Sequence, residues 1–257
     1  PRTAQNGSST YGERLGSVDL PASCSEQAGQ YLNRGLALLH HMTYQGARDS
    51  FARAVDVDPD CAMGYWGQAM SLIHPLWSDP PAEAEFRQGQ AWVDKARAIA
   101  SKGARERAYI DAVAAYYAQG RQGTERPNLA AFEQGWEEVH SRFPEDLEAA
   151  SFYALALLGT ADPSDKDYSR QKRAGALARE VLEVNPDHPG AHHYTIHAYD
   201  YPALAERALG VARDYGDIAP AVPHALHMPS HIFTRLGKWR DSIEFNQRSA
   251  AAALEHA

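Results

Sequence analysis

From residue 25 onward, apolar residues recur three and four apart, the spacing that puts them on one face of a helix. No stretch alternates with the period of two expected of a half-buried strand. Tyr31, Gly35 and Leu38 share a face of a first helix, and Ala47, Phe51 and Ala54 share a face of a second. Pro59 closes that unit. The pattern then returns: Tyr65, Ala69 and Leu72 follow their counterparts by 34 residues. Phe132, Trp136, Val139 and Pro144 mark a later second helix, as do Ala174, Ala178, Val181 and Pro186. Pro220 follows Pro186 by 34 residues. Polar, proline-containing inserts (LWSDPPAE, QGRQGTERPN and GTADPSDKDYS) lengthen the middle units and belong in loops along one edge of a stack. The spacing predicts about six helix pairs, near 25–61, 62–103, 104–145, 146–187, 188–221 and 222–257. Residues 1–24 lack this periodicity and are rich in Gly, Ser and Pro. They form an extended N-terminal arm on a 25–257 solenoid.

A small residue such as Gly35 or Ala47 lets two helices approach closely, and Phe51 fills the gap to the neighbouring pair. Aromatic, small and large residues followed by Ala, Phe, Ala and Pro at these offsets resemble the tetratricopeptide repeat (TPR), with Arg34 departing from the usual Leu. The resemblance implies an all-α fold, a TPR-like right-handed solenoid whose first helices line a concave groove. It implies a protein or peptide partner in that groove. The blocks CAMGYWGQAM, HPLW, HHYTIHAYD and PHALHMPSHIFTRLG resemble an exported bacterial branch of the superfamily. That implies a periplasmic or extracellular location and supplies no reaction. Members of the branch look longer than this chain, and RSAAAALEHA ends without a stop signal. The expectation is a fragment, or a last helix covered by something else. The start at Pro1 suggests a leader already removed.

Charge narrows the partners. With 25 Lys+Arg against 33 Asp+Glu, the net charge is −8, which disfavours nucleic acid and anionic membranes. No apolar run approaches the ~18 residues of a membrane span. The two cysteines, Cys24 and Cys61, fit either buried thiols or one disulfide. The repeat frame favours the disulfide, because each cysteine precedes the first helix of a pair and those helix starts lie side by side. Asn6-Gly7-Ser8 fits a glycosylation sequon, a common tripeptide.

The placement of the 12 histidines carries the chemistry. His193 and His197 lie four apart on one first helix, and His227 and His231 lie four apart on the next. Each member of the second pair follows its counterpart by 34 residues, so both pairs are expected to face one groove. Imidazoles so placed suit Cu, Zn, Ni or Fe. The plainer role for such a histidine is a hydrogen bond to the neighbouring helix, and the doubled offset tips the reading towards a metal. Asp200 would orient a ligand ring from behind, although Asp200-Tyr201-Pro202 is also a turn. His40 and His74, also 34 apart, are weaker metal candidates. His188, His192 and His224 look less well placed, and His140 and His256 look like surface residues. Pro229 threatens the quartet: a helix starting there would leave His227 on a loop. Tyr109, Val113, Tyr116 and Tyr117 line one helix, and they and the Trp66–Trp77 pair read as core before groove.

No GxSxG, phosphate loop, GxGxxG or HExxH motif occurs, and HYTIH lacks the Glu of a zinc protease. The reading is an exported scaffold for protein–protein interaction or self-assembly. Assembly would run through the arm and the exposed last helix into an open, head-to-tail or filamentous array. The histidine-rich groove would take the metal. The alternative is a metal-dependent enzyme using the same cluster.

Overall fold

The computed structural model describes residues 14–77, 79–99, 103–121 and 124–255. The sequon and His256 fall outside these residues, as does the arm before residue 14. All regular structure among the described residues is helical. The first pair is α1 (Glu26–His40) with α2 (Tyr44–Val57), the second α3 (Ala62–Met70) with α4 (Glu83–Ala98). Then come α5 (Ala104–Ala118) with α6 (Arg126–Arg142), and α7 (Leu147–Gly159) with α8 (Ser169–Val184). α9 (Pro189–Tyr199) pairs with a 3-10 turn at Ala205–Ala208 and α10 (Leu209–Ile218). The last unit is α11 (Pro223–His227) and α12 (Pro229–Arg235) against α13 (Trp239–Glu255). These are the six pairs that the sequence periodicity predicts.

Small-against-large packing joins the pairs. The Phe51 ring, fully buried, lies between Gly35 of α1 and Gly67 of α3. A Cβ on Gly35 would come within 2.8 Å of that ring, and one on Gly67 within 2.3 Å. Only glycine admits so close an approach of helix backbone to an aromatic ring. Trp66 and Trp136 continue the core, and Tyr109, Val113, Tyr116 and Tyr117 are buried with them. The tyrosine hydroxyls find partners: Tyr117 donates to the Ala69 carbonyl at 2.7 Å, and Tyr109 to Asp146 at 2.8 Å. Asp146 caps α7 by accepting from the amides of Glu148 and Ala149 at 3.0 and 3.1 Å. Trp77 departs from the core expectation, being half exposed.

The array curls back on itself, so that α1 touches α9 as well as α2 and α3. The described part of the arm seals this closure. Leu15 and Leu20 are buried, and the segment bonds to several separate places on its own chain. The Leu20 amide donates to Asn33 Oδ1 (2.9 Å), and the Ser23 amide to Glu106 Oε1 (2.7 Å). Ser17 exchanges bonds with Asp187 and Asn185 at 2.9 and 2.8 Å, and Arg14 donates to the Asp217 carbonyl. The expectation of an arm docking into a neighbouring molecule therefore meets a different arrangement: residues 14–24 are docked within the chain. Cys24 and Cys61 are joined in a disulfide that closes a separation of 37 residues and ties the arm and α1 to the start of α3.

Candidate metal centre

Seven of the histidines fall into three groups, and the first gathers at the start of α9, between α1 and α7. His188 caps that helix: its Nδ1 accepts the Ala191 amide at 3.1 Å, so the ring hydrogen is on Nε2. His188 Nε2–H then donates to Glu148 Oε1 at 3.2 Å, and His40 Nε2 bonds Glu148 Oε2 at 2.7 Å. Tyr194 donates its hydroxyl to His40 Nδ1 at 2.9 Å. Burial alone would raise the Glu148 carboxyl, but His188 and His40 more than offset this and hold it below the usual range. Burial likewise holds His40 low, against the pull of Glu148. Although two imidazoles and a carboxylate meet here, every nitrogen has a hydrogen-bond partner. His40, a weaker metal candidate from the sequence, thus stands in a buried group of two imidazoles and a carboxylate whose nitrogens are all hydrogen-bonded. Its main-chain carbonyl has a further use.

That carbonyl accepts from His193 Nδ1–H at 2.7 Å. A carbonyl only accepts, so the His193 hydrogen sits on Nδ1 and its Nε2 presents a lone pair. His197 Nε2 lies 3.1 Å from that atom and His224 Nε2 3.2 Å. All three ligand atoms lie within 4.8 Å of one another. Two nitrogens of one tetrahedral ion are about 3.3 Å apart when each bond is about 2.05 Å. Burial, followed by the neighbouring imidazoles, pushes His197 down to about 3 and His224 to about 4. His193 is driven well below its ordinary value by burial and by the other two rings. All three are neutral at pH 7, the form that ligates metal. The half-exposed Trp77 ring lies 6.0 Å from His224.

The third group lies one repeat on. Pro229 divides the helix, yet Met228 keeps helical dihedrals, and His227 ends α11 rather than lying on a loop. Thus His227 Nε2 comes 3.1 Å from His231 Nε2. Asp200 stands behind His231, accepting from Nδ1–H at 2.9 Å, and from Arg235 Nε at 2.8 Å. Burial would raise this carboxyl, but those two bonds hold it below the usual range. Asn246 Oδ1 lies 2.8 Å from His227 Nδ1.

The four histidines expected to share a site are therefore divided into a 193–197 pair and a 227–231 pair. His74 joins neither; it stacks on Tyr44 at 4.0 Å and its Nδ1 lies 3.5 Å from Asp79. His224, judged poorly placed from the sequence, completes the first group. The signal that finds it is a spacing of 31, not 34. The His193–His224 and Asp200–His231 bonds both span 31 residues. The repeat relates equivalent positions by 34, while these contacts fall about one helical turn earlier.

No family model matches the chain, and no curated protein matches it. Among solved structures it is similar to YrrB, a TPR protein described as having an unusual peptide-binding site. That match has 16% identity, covers 78% of this chain and 90% of that one, and has a TM-score of 0.39. So loose a likeness carries neither architecture nor function. The repeat assignment rests on the order and packing of the helices described above.

Proposed function

We propose that the protein is a helical-repeat scaffold that carries a transition-metal ion on His193, His197 and His224. One observation carries this reading: the Nε2 atoms of His197 and His224 both lie at ligand spacing from that of His193, with all three atoms within 4.8 Å, and the His40 carbonyl fixes the central ring with its lone pair inward. A hydrogen bond behind a ligand ring is the usual support of a metal-bound histidine. Neutral nitrogen donors suit copper, zinc, nickel or ferrous iron and disfavour magnesium and calcium.

The scaffold half of the reading is supported by the stacked pairs and by the apolar face of α13, where Trp239, Ile243 and Leu254 are exposed. A protein or peptide partner, or a second copy of the chain, would use such a surface. An exported location is supported by the Cys24–Cys61 disulfide, since such bonds persist in oxidising compartments. Among the described residues no helix is long and apolar enough to cross a membrane.

The test is metal content by mass spectrometry on protein purified without an affinity tag, beside H193A. Stoichiometric metal, lost in the variant, supports the reading. Trp77 fluorescence gives a second readout: added Cu²⁺ should quench it, and W77F should lose that component. A metal-free protein that takes up neither Zn²⁺ nor Cu²⁺ sinks the reading. For the scaffold, light scattering across concentration separates a strict monomer from a self-associating chain.

A further inference from the structure

Resting on the three-histidine site, we infer that His227 and His231 hold a second transition-metal ion. The α9–α12 region would then carry a two-ion, all-imidazole centre with a buried inner position and an open outer one.

Hydrogen placement leads to this. Asn246 Nδ2 donates to the Ser242 carbonyl at 2.8 Å, which turns the amide so that Oδ1 faces His227. His227 must then carry its hydrogen on Nδ1 to make the 2.8 Å bond to that oxygen. His231 is fixed in the same way, since ionised Asp200 only accepts. With their hydrogens on Nδ1, the two rings turn their Nε2 atoms towards each other across 3.1 Å. Two lone pairs at that distance repel unless a cation lies between them, and the cation is a proton or a metal. The 3.1 Å separation is close to the value of about 3.3 Å for two nitrogens on one tetrahedral ion.

Ring separations show that this would be a second ion. A metal bound at about 2.05 Å lies about 3.2 Å from the imidazole centroid, so two rings on one tetrahedral ion have centroids about 5.2 Å apart. Within the groups the centroids are 4.8 Å (His193–His197), 4.9 Å (His193–His224) and 5.0 Å (His227–His231). Between the groups they are 6.4 Å (His197–His231) and 6.2 Å (His224–His227), too far for one tetrahedral shell. Access differs as well. His193 is fully buried, while the His231 side chain is 33% exposed. Two protein nitrogens would leave the outer ion coordination positions for water, an anion or a partner's side chain. Neutral donors placed this close together favour copper, the strongest binder of the divalent series.

The experiment strips the tag-free protein with a chelator, reloads it with Cu²⁺ and counts metal by mass spectrometry and spins by electron paramagnetic resonance. Wild type should hold two coppers per chain. H227Q/H231Q should hold one, with unchanged helical circular dichroism. One copper in both proteins overturns the outer site and leaves the inner one standing. No copper in either overturns both sites and assigns a shared proton to the 227–231 pair. Two coppers in both places the second ion elsewhere and also overturns the inference. Should the double variant lose helicity, D200N decides, because it keeps both ligands. It should weaken the outer copper about 10-fold or more and leave the inner affinity unchanged. Equal affinity at both positions would count against the assignment.

Discussion

His41 makes a sharp test of how the closure is held together, through acid. The ring is fully buried at the end of α1; its Nε2–H donates to the Leu15 carbonyl at 3.1 Å, and Tyr215 donates to its Nδ1 at 2.8 Å. Burial is the main cause that pushes its pKa from 6.5 down to about 3, with the neighbouring histidines adding to it and the Leu15 bond opposing it. Between those values the unfolded chain binds the proton and the folded chain does not. Stability is therefore complete above pH 6.5 and falls as pH drops towards 3. The slope is about 1.4 kcal/mol per pH unit for one group, so His41 alone removes about 2 kcal/mol between pH 7.5 and pH 5. Total domain stability is about 5–15 kcal/mol, so the loss is measurable. The assay is urea unfolding in the presence of EDTA, so that metal linkage does not contribute, for wild type and H41Q at half-unit pH steps. H41Q should be less stable at pH 7.5, and its pH dependence should be shallower by about 2 kcal/mol over this interval. Parallel curves for the two proteins would refute the claim that His41 is held neutral beneath the arm.

Four further outcomes follow from the disulfide and the packing. Reducing or removing the disulfide with C24S should cost about 4 kcal/mol, the loop-closure value for its separation of 37 residues, read as a lower urea midpoint. F51A should cost about 3–5 kcal/mol, and G67A about 1–3 kcal/mol because its Cβ would meet the Phe51 ring at 2.3 Å; thermal melts check both. G190A would set a Cβ 2.4 Å from His40 Nδ1, displacing the ring of the residue whose main-chain carbonyl orients His193. Its inner-ion affinity, measured by competition with a chelator, should fall about 10–100-fold.

Most of the architecture was legible because repetition writes it twice. Tyr31 and Tyr65, or Pro186 and Pro220, reveal the unit through their 34-residue offset, and the glycine–phenylalanine contacts at Gly35 and Phe51 follow from helix geometry alone. The closure was not legible. Nothing local to His40 or His41 says that α1 will meet α9 or that Leu15 will lie beneath the turn, because that depends on curvature accumulated over five pairs. The site was half legible for the same reason. The i, i+4 pairs were visible, but the stagger between α9 and α11 hands His193 to His224 instead of uniting all four. Gly190 occupies the position 34 residues before His224. The repeat thus carries a candidate ligand in one copy and, in the other, the gap that admits His40.

The most direct test of the central claim is an anomalous-difference map recorded at the copper or zinc edge from crystals of the metal-loaded protein. The expected map has a strong peak bounded by the Nε2 atoms of His193, His197 and His224. A map with no peak there, or with its main peak among His40, Glu148 and His188, would contradict it.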